Sequence, residues 1–252
     1  MRKLLLLTAL CSPMAMAQTL VVEANSLMRL PASGTTLQLD RLEVADYGTL
    51  LVPGGVTELK VGQLLLGHEA RIAIVPSAQP LSVQVSHAQL GSGSQITARG
   101  APGTYQKFAT PGRTLTLRVQ QLDAEQLSVD ARGGAGAPGF VGLDGANGQA
   151  PGCTWGQAGR GYDGDAGSNG HNGAPGGQVR LELPLAYAAE RIKVNVDGGA
   201  GGPGGSGGKA GKGGDSKGCI VYRADGGKAG VSGQAGQAGS AGPAGTVSVQ
   251  RF

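Results

Sequence analysis

From residue 18 to about residue 132 the apolar positions fall in short alternating runs with no helical period, and the runs recur at a fixed offset. Leu20, Val22, Met28, Leu30 and Pro31 return 22 residues later as Leu42, Val44, Leu50, Val52 and Pro53. They return again as Leu64, Leu66, Ile72, Ile74 and, one residue late, Pro76. Two strand-like segments per period, with branched side chains in constant register, predict the stacked coils of a parallel β-solenoid. A β-sandwich with regular turns competes with this reading, although sandwich strands need not hold a constant offset.

Three segments end in the same polar–glycine corner: Ile96 to Gly100, Val129 to Gly133 and Val194 to Gly198. After each corner the chain leaves, returning in a new apolar alternation at Leu115–Leu117, Val179–Leu181 or Val247–Val249. The excursions at 101–112, 134–177 and 199–245 therefore read as insertions at one corner of the coil. Of the 48 glycines, 37 lie in the 120 residues from Gly133 onward, so the composition changes near Arg132.

Within the long insertions glycine recurs every third residue in four runs, Gly133–Gly148, Gly161–Gly176, Gly199–Gly214 and Gly227–Gly245. Three residues per turn is the period of a polyproline-II-type helix, and at about 3.1 Å per residue each run would reach roughly 50 Å. A bare glycine face lets two backbones approach closely enough to exchange hydrogen bonds. Each insertion is expected to be an antiparallel helix pair joined at a tip, and the doubled glycines of 198–208 should make that run the most enclosed. Collagen is disfavoured because the frame breaks at 151–161 and 215–226, and a disordered linker has no reason to hold a frame. The expected fold is all-β, a β-solenoid stem at 18–132 followed at 133–252 by polyglycine-II hairpins with returning strands at 179–196 and 246–250.

Arg2 and Lys3, the apolar stretch Leu4–Leu10 and the small-x-small site Ala15-Met16-Ala17 predict a signal peptide over 1–17, hence export to the extracellular space, the cell surface or the periplasm. Cleavage removes Cys11 and leaves Cys153 and Cys219, an even pair suggesting one disulfide. The outgoing runs begin 65 residues apart, at Gly134 and Gly199, and the cysteines stand 66 apart, so stacked hairpins would align them. Without Arg2 and Lys3, 19 basic residues face 17 acidic ones, which gives no case for nucleic acid, and no apolar run is long enough for a transmembrane span.

Catalytic signatures are lacking. His68, His87 and His171 stand far apart, with no Gly-x-Ser-x-Gly elbow or His-Glu-x-x-His pair. Gly134 to Gly139 matches the dinucleotide fingerprint but is followed by another Gly-x-x run where a helix is required. A Walker loop fails at Pro203 and Ala210. Asp144, Asp163, Asp165 and Asp197 lack the nine-residue spacing of calcium-binding repeats, so neither a metal nor a cofactor is expected.

The Gly-x-x and Gly-Gly-x tracts, with small residues between the glycines at 198–208 and 233–242, resemble polyglycine-II bundle proteins. The springtail glycine-rich antifreeze protein and the receptor-binding adhesins of phage tail-fibre tips are examples. The resemblance covers 133–245 and implies architecture.

The tips hold what chemistry remains: Trp155 and Tyr162 on the first insertion, and Lys217, Tyr222 and Arg223 on the second. Aromatic faces beside cations can stack on sugars and pair with anionic polysaccharide or a cell-surface receptor. The same aromatics would serve equally as plugs for the end of the bundle. The expected function is that of a non-enzymatic structural and adhesive surface protein binding through its tips. The alternative is binding of ice or another crystalline surface by one flat face of the bundle.

Overall fold

A computed structural model describes residues 18–31, 34–153 and 156–252. The expected signal peptide and Trp155 lie outside the described residues. The chain is all-β, with one 3-10 turn at Ala189–Arg191 as the only helix among the described residues.

The strands in chain order are β1 (Thr19–Val22), β2 (Leu27–Arg29), β3 (Thr36–Val44), β4 (Thr49–Val52), β5 (Glu58–Leu66) and β6 (Arg71–Ile74). They continue with β7 (Leu81–Leu90), β8 (Gln95–Thr97), β9 (Leu115–Ala124), β10 (Leu127–Asp130), β11 (Gln178–Leu183) and β12 (Ile192–Asn195). The last three are β13 (Lys217–Gly218), β14 (Arg223–Ala224) and β15 (Thr246–Arg251).

The chain alternates between two open sheets, one ordered β1-β3-β5-β7-β9-β11-β15 and the other β2-β4-β6-β8-β10-β12. Every pairing in both sheets is parallel, and only the small β13–β14 ribbon is antiparallel. The sequence offset sets the register: Leu20, Leu42 and Leu64 are direct neighbours, as are Met28, Leu50 and Ile72. Where the chain makes an excursion the step lengthens while the register holds. Leu115, Val179 and Val247 are consecutive neighbours across β9, β11 and β15. The core between the sheets consists of these stacked aliphatics, with Leu42, Leu50, Leu115 and Leu181 fully enclosed. Burying each such side chain contributes about 1.5–3 kcal/mol.

One cation interrupts that core. Arg113, two residues before β9, is only 1% exposed, and no carboxylate pairs with it among the described residues. Its guanidinium donates to the carbonyls of Gln79 (2.8 Å), Val75 (3.4 Å), Gly54 (3.2 Å) and Val56. The fork of five donors matches the carbonyls that the turns around 54–56 and 75–79 leave unpaired. Burial lowers its pKa, yet arginine starts so high that the side chain stays charged.

A second polar device marks the point where the first long insertion departs. The Asp130 carboxylate, 5% exposed, accepts from the guanidinium groups of Arg99 and Arg132 and from the Arg132 backbone N–H. Burial alone would raise its pKa, but the hydrogen bonds from Arg99 and Arg132 outweigh that effect and hold it below the usual carboxylate value. A folded-state pKa below the unfolded one adds stability at neutral pH that disappears as pH falls through the folded value. Asp130→Asn should therefore melt lower than wild type at pH 7, by about 1–2 kcal/mol given the half-exposed arginines. Melting curves should show the gap closing below about pH 4. A gap independent of pH would rule out this carboxylate as its source.

Candidate functional site

The two long excursions lie side by side as four runs, 133–150 outward, 159–177 back, 198–214 outward and 226–245 back. The outward runs are parallel to each other, Gly136, Gly139, Gly142, Gly145 and Gly148 donating to Ala200, Pro203, Ser206, Lys209 and Lys212, each at 2.8 Å. The returning runs are parallel in the same way, from Gly161 donating to Lys228 through Gly176 donating to Pro243. Within the first hairpin the bonds are antiparallel, as from Tyr162 to Ala146 and from Ala174 to Gly134, and within the second Gly230 donates to Gly211 and Gly242 to Gly199. A diagonal set links the hairpins, from Gly199 donating to Ala174 through Gly214 donating to Gly159.

The second outward run thus touches all three others. Its Gly202, Gly205, Gly208, Gly211 and Gly214 are buried, in keeping with the doubled glycines of its sequence. The interior of this assembly is main chain. Side chains between the glycines point elsewhere, and several carry hydrogen bonds across its surface. Asp144 and Asn147 accept the N–H of Lys209 and Lys212, and Asp163 accepts that of Val231, at 2.6–2.8 Å. These side-chain oxygens fasten neighbouring runs, and among the described residues no cluster of His, Cys, Asp and Glu is disposed to hold a metal.

At the far end Cys153 and Cys219 form a disulfide with Cα atoms 5.7 Å apart. Gly156 turns the chain there with φ of +103°, and a side chain at that position would meet no neighbour but would strain the backbone. The Tyr222 hydroxyl donates to the Cys153 carbonyl (2.8 Å), and the Cys219 N–H donates to the Tyr222 carbonyl, closing the turn between β13 and β14. Arg223 donates to Ser216 Oγ at 3.1 Å, and Lys217 is exposed beside it. Tyr222, Lys217 and Arg223 thus share one small ribbon.

Tyr162 is not part of it. It stands 68% exposed along a groove of about 1040 Å³ on the first hairpin, with Asn147, Gln149 and Arg160. Tyr222, 51% exposed, lines a separate hollow of about 380 Å³ with Gln157 and Asp225. Neither tyrosine is buried as an end plug would be.

Two groups escaped sequence reasoning. Ile220 and Val221, at the apex of the β13–β14 turn, are fully exposed. Nearer the stem, Tyr105 stacks on Phe140 with ring centroids 4.5 Å apart, and Phe108 lies 5.4 Å from His171, so the short excursion reaches the first hairpin through exposed rings. For Phe140 and His171 the sequence signal is a bulky residue between the glycines of a Gly-x-x run, where no apolar core exists to receive it.

No helix of the described residues is long and apolar enough to cross a membrane, and a bonded cysteine pair is compatible with an extracellular protein. No protein-family model, curated protein or solved structure matches the chain.

Proposed function

We propose that the chain is an exported, non-enzymatic surface protein in which a parallel β-solenoid stem carries stacked polyglycine-II hairpins as a rigid arm. The disulfide-tied end of that arm attaches to a glycan or another cell-surface ligand. The supporting observation is that the arm has a main-chain interior in which the side chains of Lys217, Tyr222 and Arg223 take no part, yet they are exposed on its far end. Loops held out on a rigid scaffold are where binding groups concentrate.

The test is attachment of the mature chain to cells and to a glycan array. Replacing Lys217, Tyr222 and Arg223 by alanine should weaken attachment by about tenfold or more, since each lost contact is worth on the order of 1 kcal/mol. The melting temperature should barely move, as is usual for exposed positions. Attachment unchanged in the triple variant would overturn the assignment to this end.

A second reading rests on a different feature. Ala229, Ser232, Ala235, Ala238, Ala241 and Ala244 form an exposed row of small residues on the last run. They occupy the places that Gly161, Gly164, Gly167, Gly170, Gly173 and Gly176 fill in the first hairpin, where a further run packs. The added methyls stop a third hairpin from docking and leave a flat face suited to ice or another crystalline surface. If Ala238→Lys abolished attachment while the triple variant retained it, this reading would replace the first.

A further inference from the structure

We infer that the far end of the arm is a membrane-docking prong whose occupant is an anionic lipid surface; this rests on the reading of that end as the point of attachment and names its partner. Ile220 and Val221 are the most exposed large apolar side chains among the described residues, and they sit next to each other at the apex of a two-stranded ribbon. Their place is fixed: the disulfide begins the turn at Cys219, and the Cys219 N–H to Tyr222 carbonyl bond closes it.

An apolar pair so placed is covered by none of the described residues, and exposed apolar groups rimmed by polar ones mark interaction surfaces. The rim decides the partner. From residue 209 to residue 228 five lysine and arginine side chains stand against Asp215 and Asp225 alone, a net of +3. Lys217 and Arg223 flank the apex directly, and neither pairs with a carboxylate among the described residues.

An aliphatic apex that can enter the acyl boundary, flanked by cations at headgroup depth, is the arrangement that anionic bilayers select. Tyr222 suits the same depth, because its ring is half exposed while its hydroxyl stays hydrogen-bonded to Cys153. A neutral glycan would use neither the aliphatic pair nor the excess charge. A protein pocket would use the pair but would not require vesicle charge.

The experiment is co-sedimentation of the mature chain with vesicles of phosphatidylcholine alone and of phosphatidylcholine with phosphatidylglycerol in a seven-to-three ratio, at low and high salt. Wild type should pellet with the anionic vesicles only and be released by salt. Ile220→Ser with Val221→Ser should lower the partition coefficient about tenfold or more, since two buried aliphatic side chains supply most of the apolar contribution. Lys217→Gln with Arg223→Gln should remove the preference for anionic vesicles. Circular dichroism melting checks that both variants fold, as the exposure of all four positions predicts.

Wild type that ignores anionic vesicles, or an Ile220/Val221 variant that binds them as wild type does, overturns the lipid assignment. If that variant still attaches to a glycan array or to cells through Lys217, Tyr222 and Arg223, attachment by the arm survives and only the lipid partner falls. If neither vesicles nor cells are bound, the reading of this end as an attachment point falls with it.

Discussion

Replacing Gly205 with alanine should cost on the order of 3 kcal/mol and open the arm while leaving the stem folded. A methyl group at Gly205 would overlap the Phe140 carbonyl oxygen, and the same holds at Gly202 against Ala137 and at Gly208 against Leu143. The overlapping atoms are backbone and cannot rotate away. The two outward runs would have to separate, and separation breaks the bonds from Gly139 to Pro203 and from Gly142 to Ser206. Gly218→Ala is the control, because a methyl there meets nothing within 4 Å and should be close to neutral. Ala210 shows that one methyl is accommodated in the row facing the last run, so the effect belongs to the row of Gly202, Gly205 and Gly208. Amide exchange resolved along the chain is the direct readout. Exchange should accelerate across 136–148 and 199–211 in Gly205→Ala and stay slow in β5, β7 and β9. Unchanged protection would mean that close approach of the runs does not hold the arm together.

The legible parts of this architecture are those governed by repetition. The offset that aligns Leu20 with Leu42 and Leu64 is visible without coordinates because a parallel stack repeats its side-chain environment at each step. The glycine frame shows which positions lie against backbone, and the doubled frame at 198–208 shows which run is enclosed. The frame does not say which neighbour fills each bare face. The parallel bonds between outward runs and the diagonal bonds from Gly202 to His171 and Gly205 to Ser168 emerge only once the hairpins are stacked.

Arg113 was illegible for a related reason. Its partners are four carbonyls from turns 34 to 59 residues away, and backbone acceptors leave no trace in side-chain chemistry. Ile220 and Val221 were passed over because apolar residues are ordinarily assigned to a core. In an arm whose interior is main chain, that assumption reverses, and bulky apolar residues are the ones that must be outside.

Removing the disulfide should loosen the arm from its far end inward. Cys153 and Cys219 are 66 residues apart, and closing a loop of that size stabilises the folded chain by about 4 kcal/mol in the chain-entropy model. The near ends of the runs continue into β10, β11, β12 and β15, so the sheets hold them in place. The far ends are held by the last ladder bonds, such as Gly148 to Lys212 and Gly214 to Gly159, together with the disulfide and the bond from Tyr222 to Cys153. Cys153→Ser with Cys219→Ser should therefore accelerate amide exchange at 145–161 and 211–228 first, leaving Gly136 and Gly202 nearly as protected as before. The β13–β14 turn should lose its order in the same variant, since the Tyr222 bond to Cys153 spans the same junction. Vesicle binding that depends on a fixed apex should weaken along with it, although Ile220, Val221, Lys217 and Arg223 are all still present. Uniform destabilisation of stem and arm would show instead that the two unfold as one unit, with the cross-link acting only on the unfolded chain.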